Sequence, residues 1–181
     1  MKSVLISIQP KWCELIANGK KTVEVRKTKP KLDVPFKCYI YETKVYDTLF
    51  HKGKHQKLCV GGGRVIGEFV CNNIDNHTLS NLIVKEDAEK TLSDTCLTKD
   101  EVLNYLGYEK GTSIFDCKNY DFYGWHISDL VIYDKPKELS EFVNYGRCPY
   151  GGLVDCKKCE EHTCLTRPPQ SWCYVEEGGE G

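Results

Sequence analysis

Cations and a carboxylate crowd one short stretch of the chain, Gly19-Lys20-Lys21-Thr22-Val23-Glu24-Val25-Arg26. Residues of these types at this spacing suit two kinds of chemistry. Lys20, Lys21 and Arg26 can hold a phosphate, with Glu24 orienting them or accepting from a base amino group. Alternatively, a desolvated lysine pressed by other cations acts as a nucleophile, and Lys20 and Arg26 are placed to press on Lys21. With Glu24 beside it, Lys21 instead serves as a charged anchor for an anion. The plain structural alternative is a same-face ion pair between Glu24 and Arg26, worth little if exposed.

A second constellation lies near the end of the chain. Cys156-Lys157-Lys158-Cys159 is a close pair of the kind that chelates one tetrahedral ion, and Cys148 and Cys164 flank it. Together they predict a four-thiolate structural zinc site, with His162 or Cys173 as substitutes for Cys164. Such a closed shell leaves no position for water, so the metal would hold a loop together and not catalyse. Free thiols or a redox pair are the alternatives. Cys13, Cys38, Cys59, Cys71, Cys96 and Cys117 are scattered, and several lie in apolar stretches where cysteine behaves as a small hydrophobe. His51 and His55 have helical spacing for a metal pair, but Gly53 and the surrounding lysines favour a solvated loop.

The elements that must position the first constellation are readable around it. Val4-Leu5-Ile6 predicts a strand. Pro10 suits the first turn of a helix, Trp12, Leu15 and Ile16 recur at helical spacing, and Gly19 ends it. Alternation from Thr22 to Arg26 predicts a strand with Val23 and Val25 facing a core and Thr22, Glu24 and Arg26 on the other face. Further on, Lys37 to Glu42 predicts a strand and Tyr46 to Lys57 a polar loop. Gly61-Gly62-Gly63 predicts a turn into a strand from Arg64 to Cys71, without the ending of a phosphate loop. Asn76 to Lys90 carries helical periodicity, and Thr98 to Leu106 is bracketed by a Thr98-to-Glu101 capping box and Gly107. Gly124 to Tyr133 and Trp172 to Val175 predict the last strands. At least six short strands with two or three unevenly inserted helices fit an α+β class, best as a small mixed barrel.

Length and charge narrow the function. The 181 residues suffice for one medium domain, taken here as 1–175 including a cysteine-rich loop at about 146–166, and the acidic, glycine-rich 176–181 predicts a disordered tail. A net charge of −1 excludes a wholesale basic nucleic-acid binder. Yet residues 1–37 hold nine Lys/Arg against three Asp/Glu, leaving sixteen against twenty-three elsewhere. A basic face is therefore local to the opening helix and strand, where it steers an anionic ligand or is simply solvated. No apolar run approaches the roughly 20 residues of a membrane span, and Met1-Lys2 leads straight into a strand, so a cytoplasmic protein with reduced thiols is expected.

Leu5-Ile6-Ser7-Ile8-Gln9-Pro10, a helix, and then Gly19, Lys21, Glu24 and Arg26 in a Gly-x-Lys-x-x-Glu-x-Arg pattern resemble the opening of the ASCH (activating signal cointegrator homology) family. Gly124-Trp125-His126-Ile127-Ser128 and Pro168-Pro169-Gln170-Ser171-Trp172-Cys173-Tyr174-Val175 are similar to its phage- and bacterium-encoded branch, and the likeness spans about residues 3–175. The resemblance implies a PUA-like small mixed β-barrel with the motif lining a cleft that takes RNA or a modified nucleotide. Lys20, Lys21, Glu24 and Arg26 would then bind ligand, Trp125 would stack on a ring, and Ser7, Gln9 and His126 would line the cleft. Trp125 in a core and a satisfied structural His126 are the alternatives.

Some small members of the family resemble amidohydrolases that remove the acetyl group from acetylcytidine, using a lysine and a threonine of the motif and a glutamate of a later helix. Lys21 matches the lysine, Glu24 stands where the threonine belongs, and Glu101 is the available later carboxylate, although its capping role competes. The expectation is an RNA- or modified-nucleotide-binding domain with a structural zinc loop. An amide hydrolase on an acylated pyrimidine nucleoside, with Lys21 and Glu24 catalytic, is the alternative. A third reading is a protein-interaction module that uses the zinc loop.

Overall fold

A computed structural model describes residues 2–51, 54–78, 92–108, 121–144 and 165–177. Among the described residues nine strands run in chain order as β1 (Ser3–Ile8), β2 (Val23–Arg26), β3 (Phe36–Glu42), β4 (Val45–His51), β5 (Lys54–Val60), β6 (Val65–Thr78), β7 (Asp121–Lys137), β8 (Phe142–Asn144) and β9 (Trp172–Glu177). Helix α1 (Pro10–Ala17) follows β1, and α2 (Lys99–Leu106) lies between β6 and β7. The fold is mixed α+β, with two α-helices among the described residues. None of these is long and apolar enough to cross a membrane.

The expected barrel is corrected. Seven strands are hydrogen-bonded in the open order β2-β7-β6-β3-β1-β9-β8, and β4 and β5 form a separate hairpin. The sheet ends on its two shortest strands, of four and three residues, which suits edges that invite no further pairing. The hairpin also corrects the loop expected at Tyr46 to Lys57. Val45, Tyr46, Thr48, Leu49 and Phe50 are strand formers, and they outweigh the lysines and histidines that suggested a loop. His51 faces Lys54 and Phe50 faces His55 in the register. β6 runs on through Asn76 to Thr78, where a helix was expected to start, and the rest of that segment lies outside the described residues. Likewise β9 extends to Glu177, two residues into the expected tail.

The chain divides into two compact units. One comprises residues 1–14, 37–69 and 130–181. Its β1 is buried along its length and pairs parallel with β3 and antiparallel with β9, which joins the two ends of the chain. Leu5, Tyr39, Tyr41, Val65, Phe142, Leu165 and Val175 form its core. Gly61, at φ +93°, turns the chain here, and an added Cβ would lie 2.2 Å from Thr43 O. Only glycine tolerates both the left-handed backbone and that approach.

The other unit comprises residues 15–36 and 70–129. Its core is Val25, Leu92, Val102, Leu106 and Phe122. Each such side chain contributes roughly 1.5–3 kcal/mol on burial. Helix α2 forms as its sequence predicts. Thr98 Oγ1 accepts from Glu101 N at 3.2 Å, Glu101 Oε2 accepts from Thr98 N at 2.9 Å, and Val102 and Leu106 turn one face inward. Glu101 is thereby committed to its cap.

Candidate ligand-binding site

Helix α1 stops where the motif begins, with Lys20 N donating to Leu15 O at 2.9 Å. The strand that follows departs from simple alternation, since Glu24 and Arg26 are buried as well as Val23 and Val25. Both its faces are covered. β2 pairs antiparallel with β7, setting Val23 opposite His126, Glu24 opposite Trp125, Val25 opposite Gly124 and Arg26 opposite Tyr123. On its other side, Thr22 N donates to Asp94 O at 2.9 Å, which ties the strand's entry to the 3₁₀ turn Ser93–Thr95.

Lys21, Glu24 and Arg26 are 2, 6 and 7 % exposed. Lys21 Nζ lies 3.3 Å from Glu24 Oε2, and Arg26 Nη2 lies 2.9 Å from Glu24 Oε1, so one carboxylate bridges two cations. Lys21 Nζ also donates to Val23 O at 2.9 Å and to Thr95 O at 2.6 Å. An ammonium has three protons, and here three oxygens stand within reach of them. Taking such ions out of water costs several kcal/mol each, which attraction and hydrogen bonds must offset. The array is held rigid for that reason: each member is fixed by charged or backbone partners.

The other expected ligand residues are distributed differently. Lys20 is exposed, and its carbonyl accepts from Cys96 Sγ at 3.2 Å. Trp125 is fully buried with its ring edge-on to Phe36, centroids 5.9 Å apart. It is a core residue here and presents no face for stacking. His126 is half-buried, and its Nε2 lies 2.6 Å from Asp75 Oδ2. Asn73 Nδ2 holds the other Asp75 oxygen at 2.9 Å. Burial works to raise the Asp75 pKa, but the His126 contact and then Asn73 outweigh it and leave the carboxyl below its ordinary value. Burial holds the His77 imidazole below its ordinary pKa, with Asp75 opposing and His126 assisting. The His77 ring stacks on Phe122 at 5.0 Å.

Ser7 and Gln9 belong to the first-described unit. Ser7 is buried with its Oγ donating to Pro169 O at 2.7 Å, and exposed Gln9 accepts the amides of Trp12 and Cys13 at 2.9 and 3.0 Å.

Two participants escaped the sequence reading. Asp75 was legible in principle, because Asn73, Asp75 and His77 alternate along β6 and share one face of the strand. The Thr95 carbonyl was not, since any residue supplies one. Cys148, Cys156, Cys159, Cys164 and His162 lie outside the described residues, and Cys173 is half-buried. Among the described residues no three His, Cys, Asp or Glu side chains gather to hold a metal. Cys13, Cys38 and Cys71 are buried, and desolvation pushes the Cys71 thiol up to about 12 against opposing backbone hydrogen bonds with Asn73 and His126.

The fold and the buried charged strand thus define a mixed α+β protein built around a polar array on one short strand. A profile of the ASCH domain matches residues 6–167, and the chain belongs to the ASCH family. Among solved structures it is similar to ASCH from Zymomonas mobilis, at 19 % identity and a TM-score of 0.53, covering 96 % of this chain and 87 % of that one. A tyrosine-to-phenylalanine mutant of the Zymomonas protein matches at 19 % identity and 0.53, covering 97 % and 91 %. A serine-to-alanine mutant matches at 18 % and 0.52, covering 96 % and 88 %. At these identities the likeness is one of fold. No match was found among curated proteins.

Proposed function

We propose that this protein binds RNA or a modified nucleotide through the Gly-x-Lys-x-x-Glu-x-Arg strand, with Lys21, Glu24 and Arg26 as the recognition residues. The observation that carries this reading is the bridged array itself, a guanidinium, a carboxylate and an ammonium held at 2.9 and 3.3 Å in a buried setting. A fixed fork of donors beside a fixed acceptor matches a planar polar ligand such as a base edge, or a phosphate, far better than mobile surface lysines do. The local excess of Lys and Arg over residues 1–37 supplies long-range attraction for an anion. A structural zinc on Cys148, Cys156, Cys159 and Cys164 belongs to the same reading. Near-stoichiometric zinc in purified protein, lost in Cys156→Ser, is its expected signature.

The hydrolase alternative draws less support. A nucleophilic amine needs a lone pair clear of its neighbours, and three oxygens stand within hydrogen-bond reach of Lys21 Nζ, at 2.6 to 3.3 Å. The test is direct. A fluorescein-labelled single-stranded RNA is titrated with wild type and Arg26→Lys, free nucleotides and acetylcytidine are used as competitors, and acylated nucleosides are assayed for turnover by chromatography. Micromolar binding weakened about tenfold or more in Arg26→Lys, without turnover, is the expected result, because a lysine cannot reproduce the guanidinium fork. Turnover that Lys21→Met abolishes in a folded protein would overturn the binding reading in favour of the hydrolase.

A further inference from the structure

β2 leads out of the buried array into Lys27-Thr28-Lys29-Pro30-Lys31, whose three lysines are exposed. Two tyrosines stand under this segment. Tyr105 on α2 is 38 % exposed, and it lies off the face that Val102 and Leu106 turn into the core. Tyr123 on β7 is half-buried and sits opposite Arg26 in the strand register. Lys27 Nζ hangs 5.2 Å from the Tyr105 centroid, and Lys29 Nζ hangs 5.5 Å from that of Tyr123. Elsewhere among the described residues Lys2 approaches Tyr174 to 4.3 Å and Lys11 approaches Trp12 to 4.2 Å, while Lys137 and Tyr133 stand 5.0 Å apart and Lys37 and Tyr39 5.5 Å. The Tyr105 and Tyr123 pairs are thus near the outer limit of a cation–π contact, where the lysines are loosely held.

We propose that Tyr105 and Tyr123, with Lys27, Lys29 and Lys31, form a stacking surface for the unpaired bases of single-stranded RNA running past the end of β2. Aromatic faces interleaved with cations are the arrangement that binds single strands: each ring takes a base, and each ammonium swings to the neighbouring phosphate. A duplex offers no free base face to these rings. An acidic peptide would use the lysines but leave the tyrosines without a role, which is why RNA is the favoured partner. The inference rests on the nucleotide-binding reading of the motif and extends it. The buried array recognises one nucleotide, and the exposed patch carries the strand beyond it.

The experiment measures fluorescence anisotropy of a labelled ten-nucleotide oligo(A) RNA and of an abasic oligomer with the same number of phosphates. Wild type should prefer the base-bearing strand by about tenfold or more. Tyr105→Leu combined with Tyr123→Leu should erase that preference, while Tyr105→Phe with Tyr123→Phe should keep it. Lys27→Gln and Lys29→Gln should each reduce the logarithmic salt slope by about 0.7 without changing base preference. Circular dichroism establishes that each variant is folded. An unchanged preference in the folded leucine variant overturns the inference, as does tighter binding of a polyglutamate peptide than of RNA. If Arg26→Lys weakens RNA binding and the leucine variant does not, only this inference fails. If wild type binds neither RNA nor free nucleotide, the motif reading fails and this inference with it.

Discussion

Glu24 and Glu68 are both glutamates on strands with a lysine within 3.3 Å, yet they do different things. Glu68, in the unit containing β1, accepts from Lys37 Nζ at 2.8 Å and from the Tyr133 hydroxyl, and Lys37 remains exposed. Glu24, in the unit containing β2, bridges two cations that are almost wholly withdrawn from water. Water can replace most of what Glu68 receives from its partners, but little of it reaches Glu24, whose side chain is 8 % exposed. The lesson is that the environment, not the pairing, sets the worth of an ion pair. The costly pair is the one on the motif, and a fold that carries such a cost there is preserving a geometry.

The largest test of this contrast removes the bridging charge. Glu24→Gln should destabilise the protein by about 3–5 kcal/mol in chemical denaturation, because it leaves two buried cations without their carboxylate. A loss under 1 kcal/mol would mean that water reaches the array. The contrast sharpens with a triple variant, Lys21→Met, Glu24→Leu and Arg26→Met. Replacing a whole buried network with apolar side chains of similar volume should recover most of the lost stability while abolishing ligand binding. Stability and function would then be separated at one site.

Glu68→Gln comes next, with an expected loss of about 1 kcal/mol at neutral pH, since both its contacts persist in weakened form. Burial works to raise the Glu68 pKa, but its bonds to Lys37 and Tyr133 outweigh burial and leave it below the ordinary glutamate value. A carboxyl lowered on folding stabilises the native state above its unfolded pKa, and that contribution is lost as pH falls through the lower folded value. Urea midpoints of wild type should therefore decline below about pH 4.5, and the decline should be shallower in Glu68→Gln. Parallel acid limbs would show that the bonds to Lys37 and Tyr133 contribute nothing.

Much of this arrangement was legible from residue order alone. The strand Val23–Arg26, the helix that Gly19 ends, the capping box of α2 and the long strand through Trp125 all follow from local signals. So did the two pairs of segments that carry the family likeness. They proved to be partners in space, β1 with β9 and β2 with β7. Burial of Glu24 and Arg26 was not legible, because alternation of valines with charges reads as a half-exposed strand. One of the bonds that fixes Lys21 comes from Thr95, 74 residues away, and nothing local announces it. The open sheet was hidden for a related reason: closure depends on whether β2 and β8 pair, and strand propensity is silent about partners. The β4–β5 hairpin was misread because lysine and histidine were weighed above a dense run of strand formers.

A smaller effect belongs to His77. Its folded pKa is lowered, so the native state holds the ring neutral while the unfolded chain takes up a proton below its ordinary value of 6.5. Stability should be unaffected above that pH and decline as the solution is acidified below it. His77→Phe keeps the stacking on Phe122 and removes the titration, so it should flatten the urea midpoint between about pH 5 and 7. A slope retained in the variant would show that His77 is not the group responsible.

The smallest expected effect completes the contrast with which Glu24 and Glu68 differ. Arg64 Nη2 lies 2.8 Å from Glu138 Oε1, closer than Arg26 lies to Glu24, and both of its partners are exposed. If distance governed the worth of a pair, Arg64→Ala would cost at least as much as any change at the motif. If environment governs, the loss stays within about 0.5 kcal/mol and fades at high salt. Glu138 is itself exposed and stays solvated when Arg64 is removed, so the second outcome is the one expected from denaturation at low and high ionic strength. A larger, salt-insensitive loss would mean that the geometry of a pair counts for more than its exposure, and the special standing given to Lys21, Glu24 and Arg26 would go with it.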